Sequence, residues 1–326
     1  MIVVSTGCPA GIGPEISVAA ASAQPKGCVL VGELATLRAA AECIGVPPDR
    51  LQLLGSAQSR DIAVLEAGPK LSAADRRPAR PTRRSGAAQL SYIDFAYDLV
   101  KATPGAALVT APVSKSVIAR SGAPGAQRFL GHTEWLQRRD GASRSTMCFA
   151  SSRLATALVT THLPLSRVPR TLNAERVADT TIALAELLLQ LKRRKLHLAV
   201  CSLNPHAGES ELLGSEEARA IVPGIEAARL RLPRSVRISG PIGAETAFRK
   251  AWAGLYQGVV AMYHDQATIP MKLVAFGRAV NITWGLSVVR TSVDHGTGYD
   301  IAWKGEADAR GLHSAMRMAR RLVGAK

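Results

Sequence analysis

LATALVTTHLPL (residues 154–165), NAERVADTTIALAELLLQLKRRK (173–195) and LHLAVCSLNPHAGE (196–209) read in succession as strand, helix and strand. The outer two are short apolar runs of the kind buried on both faces of a parallel sheet. The middle stretch places Val177, Leu184, Leu188 and Leu191 on one helical face, with Asn173 positioned to cap its start. Lys192 to Lys195 suit the negative end of its dipole. Working outward, IVVS (2–5), CVLVG (28–32), AALVTAPVS around Val109 and GVVAMY (258–263) repeat the strand pattern. A further helix is expected from Ser215, with Glu216 and Glu217 in its first turn and an interruption at Pro223-Gly224. Strands alternating with helices predict an α/β fold with a mainly parallel sheet.

At 326 residues the chain can bury a large core and is expected to hold about two domains. A hydrophobic content of 47% with 20% charged residues is that of a soluble globular protein, and no run approaches a membrane span. MIVVSTG at the start lacks the character of an export signal, so a cytoplasmic location is expected. Five cysteines without a CxxC spacing exclude a disulfide framework and a cysteine zinc module. The net charge of +16 comes mostly from dispersed arginines, and aromatics make up only 4%. That composition predicts a solvated surface favouring anionic substrates, with neither nucleic acid nor membrane as partner. The densest basic segment, DRRPARPTRRSG (75–86), reads as an exposed loop.

Three apolar runs end in the same way, in a histidine followed by a loop: His162, His206 and His264, the last followed by Asp265. Ligands of α/β proteins collect beyond the carboxyl ends of strands, so three imidazoles delivered there predict an open metal site. A metallohydrolase would use the same three residues to activate water. TGCPAGIGPEI (6–16) follows the first strand, but its glycine spacing is neither a dinucleotide fingerprint nor a P-loop. His132 and Thr133 in GHTEW are adjacent donors suited to a carboxylate or phosphate. Lys272, Asn281 and Arg290 are polar points in apolar surroundings and can hold an anion.

GCPAGIGPE, APVSK, GHTEW, THLPL, LNPHAGE, GPIGAETAF, MYHDQ, FGRAVNIT and RTSVDHGT run nearly end to end through the chain. In that order they resemble the 4-hydroxythreonine-4-phosphate dehydrogenase (PdxA) family. The resemblance implies two α/β/α domains around a cleft, as in isocitrate and isopropylmalate dehydrogenases. The expected limits are 1–130 with 285–326 for the first and 131–284 for the second, which would carry most metal and substrate residues and the dimer contact.

The resemblance further implies His162, His206 and His264 as metal ligands in a site shared across a homodimer. It implies His132, Thr133, Lys272, Asn281 and Arg290 as substrate contacts, and Lys272 and Asp265 as catalytic. His295, Gly296, Thr297 and Asp300 in DHGTGYDIA are implied to grip NAD or NADP. The ion is expected to be zinc, with Mg, Mn, Co or Ni also compatible with the donors. The implied reaction is oxidation and decarboxylation of 4-phosphooxy-L-threonine to 3-amino-2-oxopropyl phosphate, in pyridoxal phosphate synthesis. The chain departs from the family pattern at Cys8, Glu245 and Trp303, which stand for an acidic residue, an aspartate and a glycine. ATIPMKL (267–273) is similar to a sister group acting on 4-phospho-D-threonate or 4-phospho-D-erythronate.

Overall fold

The computed structural model describes residues 1–191 and 195–324, which form two compact units. The first comprises Met1–Ser143 with Leu286–Gly324, the second Arg144–Gly285.

In the first unit, β1 (Ile2–Ser5), β2 (Cys28–Gly32), β3 (Leu51–Leu53), β4 (Ile62–Glu66), β5 (Ala107–Thr110) and β12 (Val289–Ser292) are all parallel, in the order β3-β4-β2-β1-β5-β12. Their carboxyl ends therefore line one edge, and every loop leaving that edge is a candidate for chemistry. Helices α1 (Gly13–Ala23), α2 (Leu34–Cys43) and α11 (Arg310–Val323) form one layer, and α3 (Arg83–Ala102) lies over β1, β2 and β5. Pro14 stands in the first turn of α1, where its missing N–H costs nothing. The short α4 (Lys115–Ala119) leads to α5 (His132–Asp140). Leu136 and Trp135 of α5 join the core formed by Val3, Leu108 and Ile93. Helix α5 thus lies with the first unit, although the sequence-based limit at 131 would have cut it away.

The basic segment 75–86 is exposed at most of its arginines, as its composition predicts, but it is anchored at both ends. The buried Asp75 carboxylate accepts from Ser72 N, Ser72 Oγ and Thr82 Oγ1, which holds its pKa below the usual aspartate range against the upward push of burial. Thr82 in turn caps α3 by accepting from Ser85 N.

In the second unit, β6 (Thr146–Ala150), β7 (Ala155–Leu158), β8 (Leu196–Cys201), β9 (Val236–Ile242), β10 (Gly258–Ala261) and β11 (Val280–Trp284) are ordered β11-β6-β7-β10-β8-β9. Strands β7, β10, β8 and β9 are parallel, whereas β6 is antiparallel to both β7 and β11. The short α6 (Val168–Thr171) precedes α7 (Ala174–Gln190), and α8 (Val222–Arg231), α9 (Ala244–Trp252) and α10 (His264–Ala275) follow. Alternation along β10 divides the helices. Val259 and Ala261 enter a core with Phe248 of α9 and Met271 of α10, while Gly258 faces α7. A Cβ on Gly258 would lie 3.0 Å from methyls of Leu184 and Leu188, so glycine lets α7 approach the sheet.

Asn173 caps α7 by accepting from Arg176 N, and Val177, Leu184 and Leu188 are buried as the spacing predicts. Of the cations expected beyond its end, residues 192–194 lie outside the described residues. Pro223 and Gly224 do not interrupt the following helix. A π turn at Glu217–Ile221 precedes them, Pro223 falls in the first turn of α8, and Gly224 makes room for Val177. Among the described residues, no helix is long and apolar enough to cross a membrane.

Candidate active site

The central strands of the second unit, in the order β7-β10-β8, deliver the three predicted histidines from their carboxyl ends. Gln266 fixes the spacing of these ends. Its Oε1 accepts from Met262 N at 2.7 Å, beyond β10, and its Nε2 donates to Ser202 O at 2.8 Å, beyond β8. Thr160, beyond β7, donates through Oγ1 to Met262 O at 2.7 Å. One amide and one hydroxyl therefore tie three strand ends together. Sequence reasoning missed Gln266, because a polar residue just inside a helix carries no periodic signal.

His162 and His264 meet, with ring centroids 5.6 Å apart and planes inclined by 40°. Imidazole nitrogens bind zinc at about 2.0–2.1 Å, which puts two ring centres on one ion at most roughly 6 Å apart. The pair fits a shared ion in both donor type and spacing. Asp265 Oδ1 lies 3.0 Å from His264 Nδ1, so the carboxylate can accept that proton and leave Nε2 as the ligating nitrogen. Asp265 touches the imidazole and is placed to orient it.

His206 stands on the far side of β10, in an unusual loop. His206, Ala207, Glu209, Ser210 and Glu211 all have positive φ, with His206 at +52°. Non-glycine residues hold this conformation only when their surroundings impose it. Here the buried Glu217 carboxylate accepts from Leu203 N, Asn204 N and Asn204 Nδ2, all at 2.8–2.9 Å. Among the described residues, no group of three His, Cys, Asp or Glu side chains within one chain is close enough to hold a metal. The structure thus brings together His162 and His264, and leaves His206 separate from them. In the same unit, Lys272 is exposed on α10, and Asn281 of β11 has a buried Oδ1 with no hydrogen-bond partner, as an atom awaiting a donor would.

Arg290, the other predicted cation, lies in the first unit. Arg290 of β12 is only 3% exposed and donates through Nη2 to Thr110 Oγ1, at the end of β5, at 2.6 Å. Burial pushes its pKa down to about 10, opposed by the nearby Glu134 carboxylate, so it keeps its charge at neutral pH. His132, in the first turn of α5, has a buried Nε2 without a partner. Burial foremost, then the Arg290 and Lys115 cations, hold its pKa well below the usual histidine range. A neutral imidazole thus stands beside two cations and one carboxylate, a net positive surrounding compatible with an anion. Thr133 follows it on the same turn. Lys115 and Glu134 were not singled out from sequence. Gly131 is the link, since a Cβ there would lie 2.9 Å from Glu134 Oε2 and 3.4 Å from Lys115 Nζ. The buried Gln89 of α3 steadies this loop by accepting from Ser114 N at 2.8 Å.

Neutral His132 gives a measurable pH dependence. The unfolded chain protonates it near pH 6.5 and the folded chain only at lower pH, so its contribution is present above about 6.5 and is lost as pH falls. Urea midpoints measured between pH 7.5 and 5.5 should fall with acidification, and the fall should be shallower in His132→Gln.

The remaining predicted segment, 293–300, leaves β12 on the same edge of the first unit. His295 Nε2 is buried without a partner, and a Cβ on Gly296 would meet nothing within 4 Å, which leaves open space beside the loop. Thr297 is half-buried and Asp300 exposed. Nδ1 of His295 faces Gly296 O at 3.1 Å and so carries the ring proton, which leaves Nε2 as an unpartnered acceptor beside that open space.

The chain is 40% identical to the 4-hydroxythreonine-4-phosphate dehydrogenase of Desulfosudis oleivorans, over 98% of this chain and 95% of that protein. The crystal structure of the 4-hydroxythreonine-4-phosphate dehydrogenase of Klebsiella pneumoniae superimposes with a TM-score of 0.83 at 32% identity, covering 99% of each chain. A terephthalate 1,2-cis-dihydrodiol dehydrogenase from Burkholderia xenovorans follows with a TM-score of 0.67 at 28% identity, covering 98% of this chain and 97% of that one. Fold and relatives together define an oxidoreductase, an enzyme of the dehydrogenase class. The chain belongs to the family described as Pyridoxal phosphate biosynthetic protein PdxA, whose model matches residues 24–319.

Proposed function

We propose that this enzyme oxidises and decarboxylates 4-phosphooxy-L-threonine to 3-amino-2-oxopropyl phosphate, using NAD or NADP and a divalent cation, zinc first among the candidates. The observation that carries the reading is the His162–His264 pair, spaced for one ion at adjacent strand ends. The cation supplies Lewis acidity toward the substrate oxygen, and the nicotinamide takes the hydride. The chain's own part is binding, orientation and proton handling. His162, His206 and His264 are the proposed ligands, and Asp265 holds the His264 ring. Arg290, His132 and Thr133 bind the phosphate, and Asn281 and Lys272 complete the substrate contacts. Lys272 is assigned to move the hydroxyl proton as the alcohol becomes a ketone. The resulting β-keto acid loses carbon dioxide, with the two electrons of the broken bond retained on the carbon that is then protonated. His295, Gly296, Thr297 and Asp300 hold the dinucleotide.

The dihydrodiol dehydrogenase shares this fold, so the anion contacts rather than the fold decide the substrate. The ATIPMKL sequence around Lys272 favours a second reading, in which 4-phospho-D-threonate or 4-phospho-D-erythronate is oxidised instead. Purified protein, NAD and a divalent metal, offered each of the three compounds, separate the readings by NADH formation. No turnover of any of them would sink both.

The proposed active form is a homodimer. Asp265, Ile269, Lys272, Leu273 and Phe276 share one face along α10 and just past its end, by their spacing. Ile269, Leu273 and Phe276 are 66%, 84% and 81% exposed, an apolar stripe interleaved with the two site residues. A second copy covering that stripe would bring its own chain to Lys272, which supports a site completed across the dimer. Leu273→Arg is expected to yield monomers by light scattering and to lose most activity. A dimeric Leu273→Arg with full activity would move the contact elsewhere.

A further inference from the structure

The proposed dinucleotide loop and the segment that follows it are both fastened to the N-terminal turn. Ile12 N donates to Thr297 O at 2.9 Å, and a Cβ on Gly11 would lie 2.7 Å from that same oxygen. Gly298 lies against Ile12, where a Cβ would be 3.0 Å from the isoleucine Cδ1. Farther along, Trp303 Nε1 donates to Pro9 O at 2.9 Å. Glu15, only 1% exposed in the first turn of α1, accepts from Trp303 N at 2.7 Å through Oε2 and from Gly305 N at 3.0 Å through Oε1. The Cys43 thiol also donates to Oε1, at 3.8 Å.

Trp303 has φ +61°, a left-handed conformation in which a bulky side chain is a genuine outlier. Such a residue persists only where its surroundings over-determine it. The over-determination is visible, with the backbone N–H held by a buried carboxylate and the indole held by a carbonyl. Glycine would adopt this φ without strain but has no ring to reach Pro9. The tryptophan therefore exchanges conformational ease for a latch.

We propose that Glu15 and Trp303 are positioning residues for the dinucleotide, holding segment 295–300 in its binding conformation before the cofactor arrives. The proposal rests on the reading that this segment grips NAD. A loop ordered in advance loses less freedom on binding, so the latch acts on cofactor affinity and leaves substrate affinity alone.

The test uses Glu15→Gln, which keeps size and one carbonyl oxygen, and Trp303→Phe, which keeps a ring and loses the donor. In the cofactor-free protein, amide hydrogen exchange at Trp303 and Gly305 is expected to accelerate roughly tenfold in Glu15→Gln. Exchange across 295–303 is expected to accelerate in Trp303→Phe as well. The Kd for NADH, measured by titration without turnover, is expected to rise about five- to tenfold in each variant, with the substrate KM within about twofold of wild type. Asp300→Ala serves as the reference. If it weakens NADH binding while both latch variants bind like wild type, the proposal is overturned and the loop assignment stands. If Asp300→Ala itself binds NADH like wild type, the loop assignment falls and the proposal with it. Unaltered exchange in both latch variants also overturns the proposal. Should Glu15→Gln fail to fold, Trp303→Phe decides alone.

Discussion

If His206 ligates the proposed cation, His206→Ala should abolish metal-dependent NADH formation, lowering kcat by about 10³-fold or more. Backbone strain is the competing explanation. His206 sits at φ +52° in a run of left-handed residues, and alanine tolerates that region at a cost of about 1–2 kcal/mol. The two effects separate with His206→Asn. Asparagine accepts left-handed backbone far better than alanine and has no imidazole. If strain were the cause, His206→Asn would recover most of the rate. If ligation is the cause, both variants stay near background and both lose the bound ion after dialysis, by elemental analysis. Glu217→Ala approaches the same loop from beneath. It removes the acceptor that holds Leu203 N and Asn204 N, so metal affinity should weaken without disappearing. Wild-type turnover by His206→Asn would remove His206 from the mechanism.

The strands were legible because a strand buried on both faces is written as an unbroken apolar run, and IVVS, CVLVG and GVVA are such runs. The histidines were legible because each directly follows a run of that kind. The face of α7 was legible because Val177, Leu184 and Leu188 repeat at helical spacing over several turns. What escaped was tertiary. Nothing in TMCFA or VNITW says that β6 and β11 pair antiparallel inside an otherwise parallel region, since both also look like buried strands. Gln266, Gln89 and Glu15 escaped because each acts on backbone groups far away in sequence, and one polar residue leaves no pattern. Pro223 misled because a proline breaks a helix interior yet suits a first turn, and the preceding π turn decides which it is. Trp303 could be flagged as a departure from the family. Its consequence could not be read until its positive φ and its bond to Pro9 were seen.

Replacing Arg290 by methionine should separate stability from catalysis in the opposite sense to most core substitutions. The guanidinium is 3% exposed, and the fall of its pKa to about 10 reports the unfavourable desolvation of that charge. Methionine fills much of the volume without a charge to desolvate, and exchanges of buried ionic groups for apolar ones are often neutral or stabilising. Arg290→Met should therefore keep or raise Tm. Activity should respond otherwise. Charged hydrogen bonds are worth about 1.5–3 kcal/mol each, so if Arg290 forks onto the phosphate as proposed, losing two such bonds removes roughly 3–6 kcal/mol of transition-state binding. That predicts kcat/KM lower by about 10²- to 10⁴-fold, at about 1.4 kcal/mol for each factor of ten. Arg290→Lys would keep the charge and lose the planar fork, and should fall between the two. His132 supplies the internal check. Removing the cation beside it lifts one of the causes of its low pKa, so its protonation, followed by NMR, should move toward the ordinary histidine range. A variant with normal kcat/KM, or an unmoved His132 titration, would mean that Arg290 serves the fold and some other cation holds the anion.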